Sequence, residues 1–227
     1  MIISHKHRFI FIKTEKTAGT SLEIALSSFC DDSDIITPLV PEDEAVRQSV
    51  SGQAARNFYV PFGKYSFRKW GKLLIKGQRT KFYNHITAKE IKNFVDEDVW
   101  TNYFKFCFER NPWDKLISWY YWRYKTEPRP TISEFIDSGE AAKVSAYPLY
   151  TIDDQVAVDK VFMYERMEEE LNELSSHLNL PYQLILPKAN GGVRRDKRHY
   201  KDVLTSKERG AVANLFRREI KLFGYKY

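Results

Sequence analysis

The chain has 227 residues, 43% hydrophobic and 15% aromatic, which suits one folded domain with a sizeable core and excludes disorder as its overall state. Its formal net charge of +6 favours an acidic partner without choosing among a nucleotide, a polyanion and a membrane surface. Two cysteines, Cys30 and Cys107, stand far apart with no C-x-x-C or Cys/His ligand spacing, which argues against structural zinc and for reduced thiols in a cytoplasm.

No apolar signal segment opens the chain, and no run approaches the ~18 apolar residues of a membrane span. A soluble, cytoplasmic protein is expected, with peripheral membrane contact left open. Phe9 to Ile12 is a short apolar run that reads as a buried strand. A helix follows, with Leu22, Ile24, Ala25 and Leu26 at its start. Between them lies a loop of small and polar residues, Lys16, Thr17, Ala18, Gly19, Thr20 and Ser21. A strand passing through such a loop into a helix offers free N–H groups and the positive end of the helix dipole to a phosphate or sulfate. Gly19 is expected to let the backbone approach the anion, with the hydroxyls of Thr20 and Ser21 as further donors. The loop is not a Walker A sequence, because Lys16 precedes its glycine. An ordinary strand–turn–helix with polar turn residues is the competing reading.

Residues 29 to 52, with Pro38 and Pro41, read as loop and as the least ordered-looking part of the chain. Residues 64 to 81 hold seven lysines and arginines and no acid, with Tyr65, Phe67, Trp70, Leu73 and Leu74 interleaved. Such a segment can grip an acidic polymer or lie on anionic lipid. The plainer reading, a solvated basic face over an apolar underside, is preferred. No nucleic-acid-binding motif accompanies it, and no nucleic-acid partner is expected.

Thr87 and Glu90 have capping-box spacing, which predicts a helix to about Val95 and places His85 in the loop before it. Phe104, Phe106 and Phe108 alternate with Lys105, Cys107 and Glu109 as a strand does. Pro112 ends that strand and opens a helix with Trp113, Leu116, Ile117, Tyr120, Tyr121 and Tyr124 on its core face. Arg110 thus stands at a strand end and Ser118 within the next helix. Two more capping boxes, Thr131/Glu134 and Thr205/Glu208, predict further helices. Val158 to Tyr164 reads as a strand, followed by a helix marked by Met167, Leu171, Leu174 and Leu178. Residues 188 to 201 form a basic loop around Gly191 and Gly192. Alternating strands and helices indicate an α/β fold with a mainly parallel sheet.

Two stretches together carry a resemblance. Lys16-Thr17-Ala18-Gly19-Thr20-Ser21 after a strand resembles the 5′-phosphosulfate loop of sulfotransferases, in the form of the branch that includes bacterial and Golgi carbohydrate sulfotransferases. Arg110-Asn111-Pro112-Trp113-Asp114-Lys115-Leu116-Ile117-Ser118 resembles that family's 3′-phosphate motif, with its arginine and serine eight apart. Tyr164-Glu165-Arg166-Met167 and the ending Leu222-Phe223-Gly224-Tyr225 are similar as well. Glu15 departs from the pattern, which often has proline there.

The resemblance implies a single domain over residues 1–227 with a P-loop-like, mainly parallel sheet flanked by helices, and residues 29–81 as an acceptor-side insertion. It implies 3′-phosphoadenosine 5′-phosphosulfate (PAPS) as co-substrate, no metal, and transfer of its sulfuryl group to a hydroxyl or amine of an acceptor, carbohydrate or glycolipid first. Lys16 would stabilise charge on the leaving oxygen and Thr17 to Ser21 would hold the phosphosulfate. Arg110 and Ser118 would hold the 3′-phosphate, and Tyr164 would lie near the adenine. Arg194 and Arg195 would fold over the donor or meet an acidic acceptor. His85 is the expected base, by pKa and loop position, with Glu109 and Asp114 as rivals. A P-loop kinase is the alternative enzyme, lacking here its Gly-Lys-Ser/Thr turn and Walker B aspartate. A non-catalytic polyanion- or membrane-binding module is the alternative outside catalysis.

Overall fold

The computed structural model describes residues 1–187 and 198–227. In chain order the elements are β1 (Ile2–Ser4), β2 (Phe9–Phe11), α1 (Gly19–Ser27), β3 (Ile35–Ile36), α2 (Pro41–Ser49) and α3 (Phe67–Lys76). Then come α4 (Ala88–Phe94), α5 (Glu97–Asn102), β4 (Phe104–Glu109), α6 (Pro112–Arg123), α7 (Ile132–Asp137) and α8 (Tyr147–Tyr150). The chain closes with β5 (Thr151–Ile152), β6 (Gln155–Val156), β7 (Lys160–Met163), α9 (Met167–His177), α10 (Tyr200–Val203), α11 (Ser206–Leu215) and α12 (Arg217–Phe223).

The central sheet has the order β3-β1-β2-β4-β7. β2, β4 and β7 are parallel neighbours, in register Phe9↔Phe104 and Phe106↔Lys160. β1 runs antiparallel to both β2 and β3, so four strands point one way and β1 the other. The expected mainly parallel α/β sheet in one domain is therefore present, with one reversed strand inserted by a hairpin that the apolar run alone did not reveal. β5 and β6 form a separate small hairpin.

The phenylalanine alternation does what a period of two requires. Phe9, Phe11, Phe106, Phe108 and Phe162 point to one face, where Leu22 and Leu26 of α1 and Leu171 and Leu174 of α9 cover them. Ile10, Ile12 and Cys107 point to the other, against Ile91 and Phe94 of α4 and Tyr150. A third cluster joins α6 to α7, α10 and α11 through Trp113, Leu116, Phe135, Tyr200 and Phe216. All three capping boxes form, at Thr87, Thr131 and Thr205.

Residues 29 to 52 do not form the unstructured loop expected from their composition. They contribute β3 and α2, and Pro41 sits in the first turn of α2 ahead of Glu42, Asp43 and Glu44, a favourable start for a helix. What orders them is charge. Glu23 of α1, fully buried, accepts Lys13 Nζ at 3.0 Å, Arg47 Nη2 of α2 at 3.2 Å and the Met1 amino group at 3.0 Å. Surrounding cations hold the Glu23 carboxyl below the usual carboxylate range despite its burial. A buried carboxylate with two cationic side chains, Lys13 and Arg47, ties α1, α2 and the end of β2 into one body.

Glu23→Gln keeps the shape and removes the charge, leaving Lys13 and Arg47 buried beside a neutral amide. The expected loss is ~3–5 kcal/mol of unfolding free energy, read from urea denaturation. A loss below about 1 kcal/mol would contradict the role assigned to Glu23.

Candidate functional site

The site lies at the C-terminal ends of the parallel strands. In open α/β sheets that is where ligands bind, at the point where successive connections leave toward opposite sides. Here the chain after β2 returns to β3 on one side, and the chain after β4 goes to β7 on the other. The loop after β2 and the turn after β4 therefore meet. Thr14 Oγ1 donates to the Phe108 carbonyl, and Arg110 Nη1 donates to the Lys16 carbonyl at 2.9 Å.

The loop holds an unusual backbone. Lys16 and Ala18 both have φ of 60°, a left-handed conformation that side chains other than glycine rarely adopt. Alternation of left- and right-handed residues turns successive N–H groups into a concavity that suits an anion. α1 begins at its rim. Its N-cap, Ala18, provides no side-chain cap, and no acid stands in its first turn. The helix N-terminus thus keeps its donors and its dipole for something outside the helix.

Gly19 lines the cleft and also has a packing role. Its φ is not left-handed, and a Cβ there would stand 2.9 Å from Lys13 Cγ and 3.1 Å from the Thr14 carbonyl. Glycine lets the start of α1 press against the end of β2. Thr17 also turns inward. Its hydroxyl meets Thr14 Oγ1 at 2.9 Å, and the residue is fully buried. Its offering to a ligand is a backbone N–H.

A cleft of about 590 Å³ opens over this loop, within the ~300–1,000 Å³ range of small-ligand sites. Lys16, Ala18, Gly19, Thr20 and Ser21 form one wall. Leu39, Val40, Glu42 and Asp43, at the entry to α2, face them across the cleft together with Asn84 and His85, and Trp122 and Lys125 extend it. Lys16 forms no ion pair among the described residues, and its Nζ lies 5.5 Å from the centre of the Trp122 ring. Burial, with Arg110 nearby, lowers its pKa to about 8.

His85 stands in the same cleft with φ of 59°. Its Nδ1 lies 3.0 Å from the Lys13 carbonyl, which can only accept, so Nδ1 carries the proton. Nε2 is left facing Glu15 Oε1 at 3.2 Å. Burial lowers the His85 pKa to about 4, aided by the Lys13 ammonium, and burial raises that of Glu15. The imidazole is therefore neutral at physiological pH, with its Nε2 lone pair on the Glu15 side.

The rival bases are committed elsewhere. Glu109 is buried against Lys115 and Tyr150, and Asp114 takes Arg110 Nη2 at 2.7 Å and Nε at 3.0 Å. Arg110 itself lies 4.1 Å from the centre of the Tyr164 ring. Glu165 accepts the Asn111 N–H, so the ends of β4 and β7 are also joined. Arg110, Ser118 and Tyr164 lie outside the cleft lining, and Ser118 is half-buried on α6. The structure thus gathers Lys16, Ala18, Gly19, Thr20 and Ser21 with His85 in one cleft, leaves the Thr17 side chain buried beneath it, and sets Arg110 with Tyr164 beside the loop. Arg194 and Arg195 lie outside the described residues.

The family model of the sulfotransferase family matches residues 1–226. The chain belongs to the sulfotransferase family. It is also 33% identical over 99 residues to an uncharacterized protein of Archaeoglobus fulgidus, a match covering 41% of this chain and 82% of that one. No solved structure matches.

Two features of this sulfotransferase chain escape a reading by motif. Trp122 is off the core-facing stripe of α6, and its position between the inward-facing Tyr121 and the helix end marked it as outward. Glu15 stood out only as a departure from the pattern, and its contact with His85 depends on a left-handed turn that no spacing announces. Among the described residues no group of three or more metal-ligating side chains is gathered, and no helix is long and apolar enough to cross a membrane.

Gly19→Ala forces a methyl group against Lys13 Cγ and the Thr14 carbonyl. Overpacking of this kind costs ~1–3 kcal/mol and displaces the loop. Thermal unfolding should record the destabilisation, and an unchanged midpoint would show that the loop yields freely.

Proposed function

We propose that this chain transfers the sulfuryl group of PAPS to a hydroxyl or amine of a carbohydrate acceptor, glycolipid headgroups included. One observation carries the reading: two strand-to-helix junctions are side by side, joined by the Arg110–Lys16 hydrogen bond. A donor with anionic groups at two places fits two adjacent anion sites. The residues present suit it, since α1 has an uncapped N-terminus and Lys16 forms no ion pair among the described residues.

The loop after β2 works as a P-loop-like cradle for the 5′-phosphosulfate, through the N–H groups from Thr17 to Ser21 and the Thr20 and Ser21 hydroxyls. Lys16 neutralises charge that develops on the leaving phosphate oxygen as the bond to sulfur breaks. Arg110 exchanges Asp114 for the 3′-phosphate, with Ser118 as a second donor, and Tyr164 lies against the nucleoside. Lysine and helix dipole supply the positive charge, so magnesium is not required. His85, its imidazole neutral and its Nδ1–H fixed by the Lys13 carbonyl, takes the acceptor's proton, and Glu15 stabilises the imidazolium that forms. The entry to α2, within the 29–81 segment, forms the acceptor-side wall.

The kinase alternative gains no support here, because the loop lacks the Gly-Lys-Ser/Thr turn that would cradle a nucleotide's phosphates.

Lys16→Ala should lower transfer of labelled sulfate by about 10²–10³-fold with unchanged unfolding. Normal turnover would remove Lys16 from the reaction. The pH profile gives a second test. Lys16 acts protonated, so kcat/KM should fall as pH rises past about 8. His85 acts unprotonated, so activity should fall only as pH drops toward about 4, without a step near the ordinary histidine value. An acid limb centred near 6.5, the ordinary histidine pKa, would contradict the assignment.

A further inference from the structure

The basic segment hides only some of its apolar residues, Tyr65 and Leu73 among them. α3 is held to the body by few contacts: Leu73 packs against the core, Lys69 Nζ lies 3.7 Å from the centre of the Phe94 ring, and Trp70 stacks on Phe62. Its other apolar side chains face outward. Phe67 is 95% exposed, Leu74 80% and Ile75 83%. Seven residues are two helical turns, so Phe67 and Leu74 stand in one row, with Trp70 and Ile75 at its flanks. No described residue covers that row.

Beside it runs a second row. Arg68, Lys72 and Lys76 are spaced by four and so share a stripe. None of them makes an ion pair among the described residues. Arg79 and Lys81 extend the positive field, and no acid lies between residues 64 and 81, though Lys64 is paired with Asp96 at 2.7 Å. The helix therefore shows solvent an apolar ridge edged by cations, on a surface otherwise rich in acidic and basic pairs.

We propose that α3 is a peripheral membrane anchor that lays Phe67, Leu74 and Ile75 into the headgroup–acyl boundary of an anionic bilayer. The cations select the partner's charge, and the ridge selects its phase. A soluble polyanion would satisfy Arg68, Lys72 and Lys76 but leave Phe67, Leu74 and Ile75 in water. An anionic bilayer satisfies both rows, with phosphate and carboxylate headgroups above an apolar layer. This inference is independent of the proposed reaction.

The test is co-sedimentation of the full chain, without donor, with vesicles of phosphatidylcholine alone or with about a third phosphatidylserine. Binding should require the anionic lipid and weaken with salt. Phe67→Ser/Leu74→Ser/Ile75→Ser and, separately, Arg68→Gln/Lys72→Gln/Lys76→Gln should each weaken it by about ten-fold or more. Circular dichroism and the thermal midpoint should stay unchanged, because these side chains are exposed. The apolar variant should keep its affinity for heparin. The proposal is overturned if wild type ignores anionic vesicles, or if the apolar variant binds them as wild type does. It is equally overturned if the ridge proves to seal a dimer, seen as concentration-dependent association that the apolar variant abolishes while vesicle binding is absent.

Discussion

The arrangement depends on one pairing, the parallel ladder between β2 and β4. Parallel neighbours end on the same side, so the loop that follows one strand must share space with the turn that follows the other. Thr14, at the end of β2, bonds to the last turn of β4, and Arg110, just beyond β4, bonds back to the loop. An antiparallel pairing of the same two strands would put the junctions at opposite edges. β1, which does reverse direction, carries no part of the cleft lining.

The loop's conformation is costly and needs support. Left-handed backbone at Lys16, Ala18 and His85 stores strain of a kind that persists only when the surroundings over-determine it. Those surroundings are visible. Thr17 and Thr14 lock to each other beneath the loop, Gly19 allows α1 to approach, and Glu23 gathers Lys13 and Arg47 one turn into the helix. Asn84 accepts from Thr37 and Lys13 and donates to the Pro38 carbonyl, which fixes the chain just before His85. The one acid of α1, Glu23, is thus kept off its first turn and used deeper, where it binds the fold rather than repels an anion.

Much of this could be read from residue order, for reasons that are local. Capping boxes at Thr87, Thr131 and Thr205 need only neighbours three residues away, and each formed. The alternating phenylalanines of β4 and the stripe of α6 likewise follow from backbone period. What escaped depends on distant partners. α2 is ordered by Arg47 reaching a carboxylate in another helix, which proline and acid content alone disguised as loop. Glu15 and His85 are far apart in sequence and meet only in the folded chain. The face of α3 was legible only in part for the same reason: an amphipathic pattern tells which residues share a side, and Leu73 meets the core while Phe67, Leu74 and Ile75 do not.

The most direct test of two joined anion sites is calorimetric titration, without magnesium, of adenosine 3′,5′-bisphosphate against adenosine 5′-phosphate. The account predicts tighter binding of the bisphosphate to wild type, and loss of that advantage in Arg110→Ala with binding of the monophosphate preserved. Equal affinity of wild type for both nucleotides, or an advantage that survives in Arg110→Ala, would contradict it.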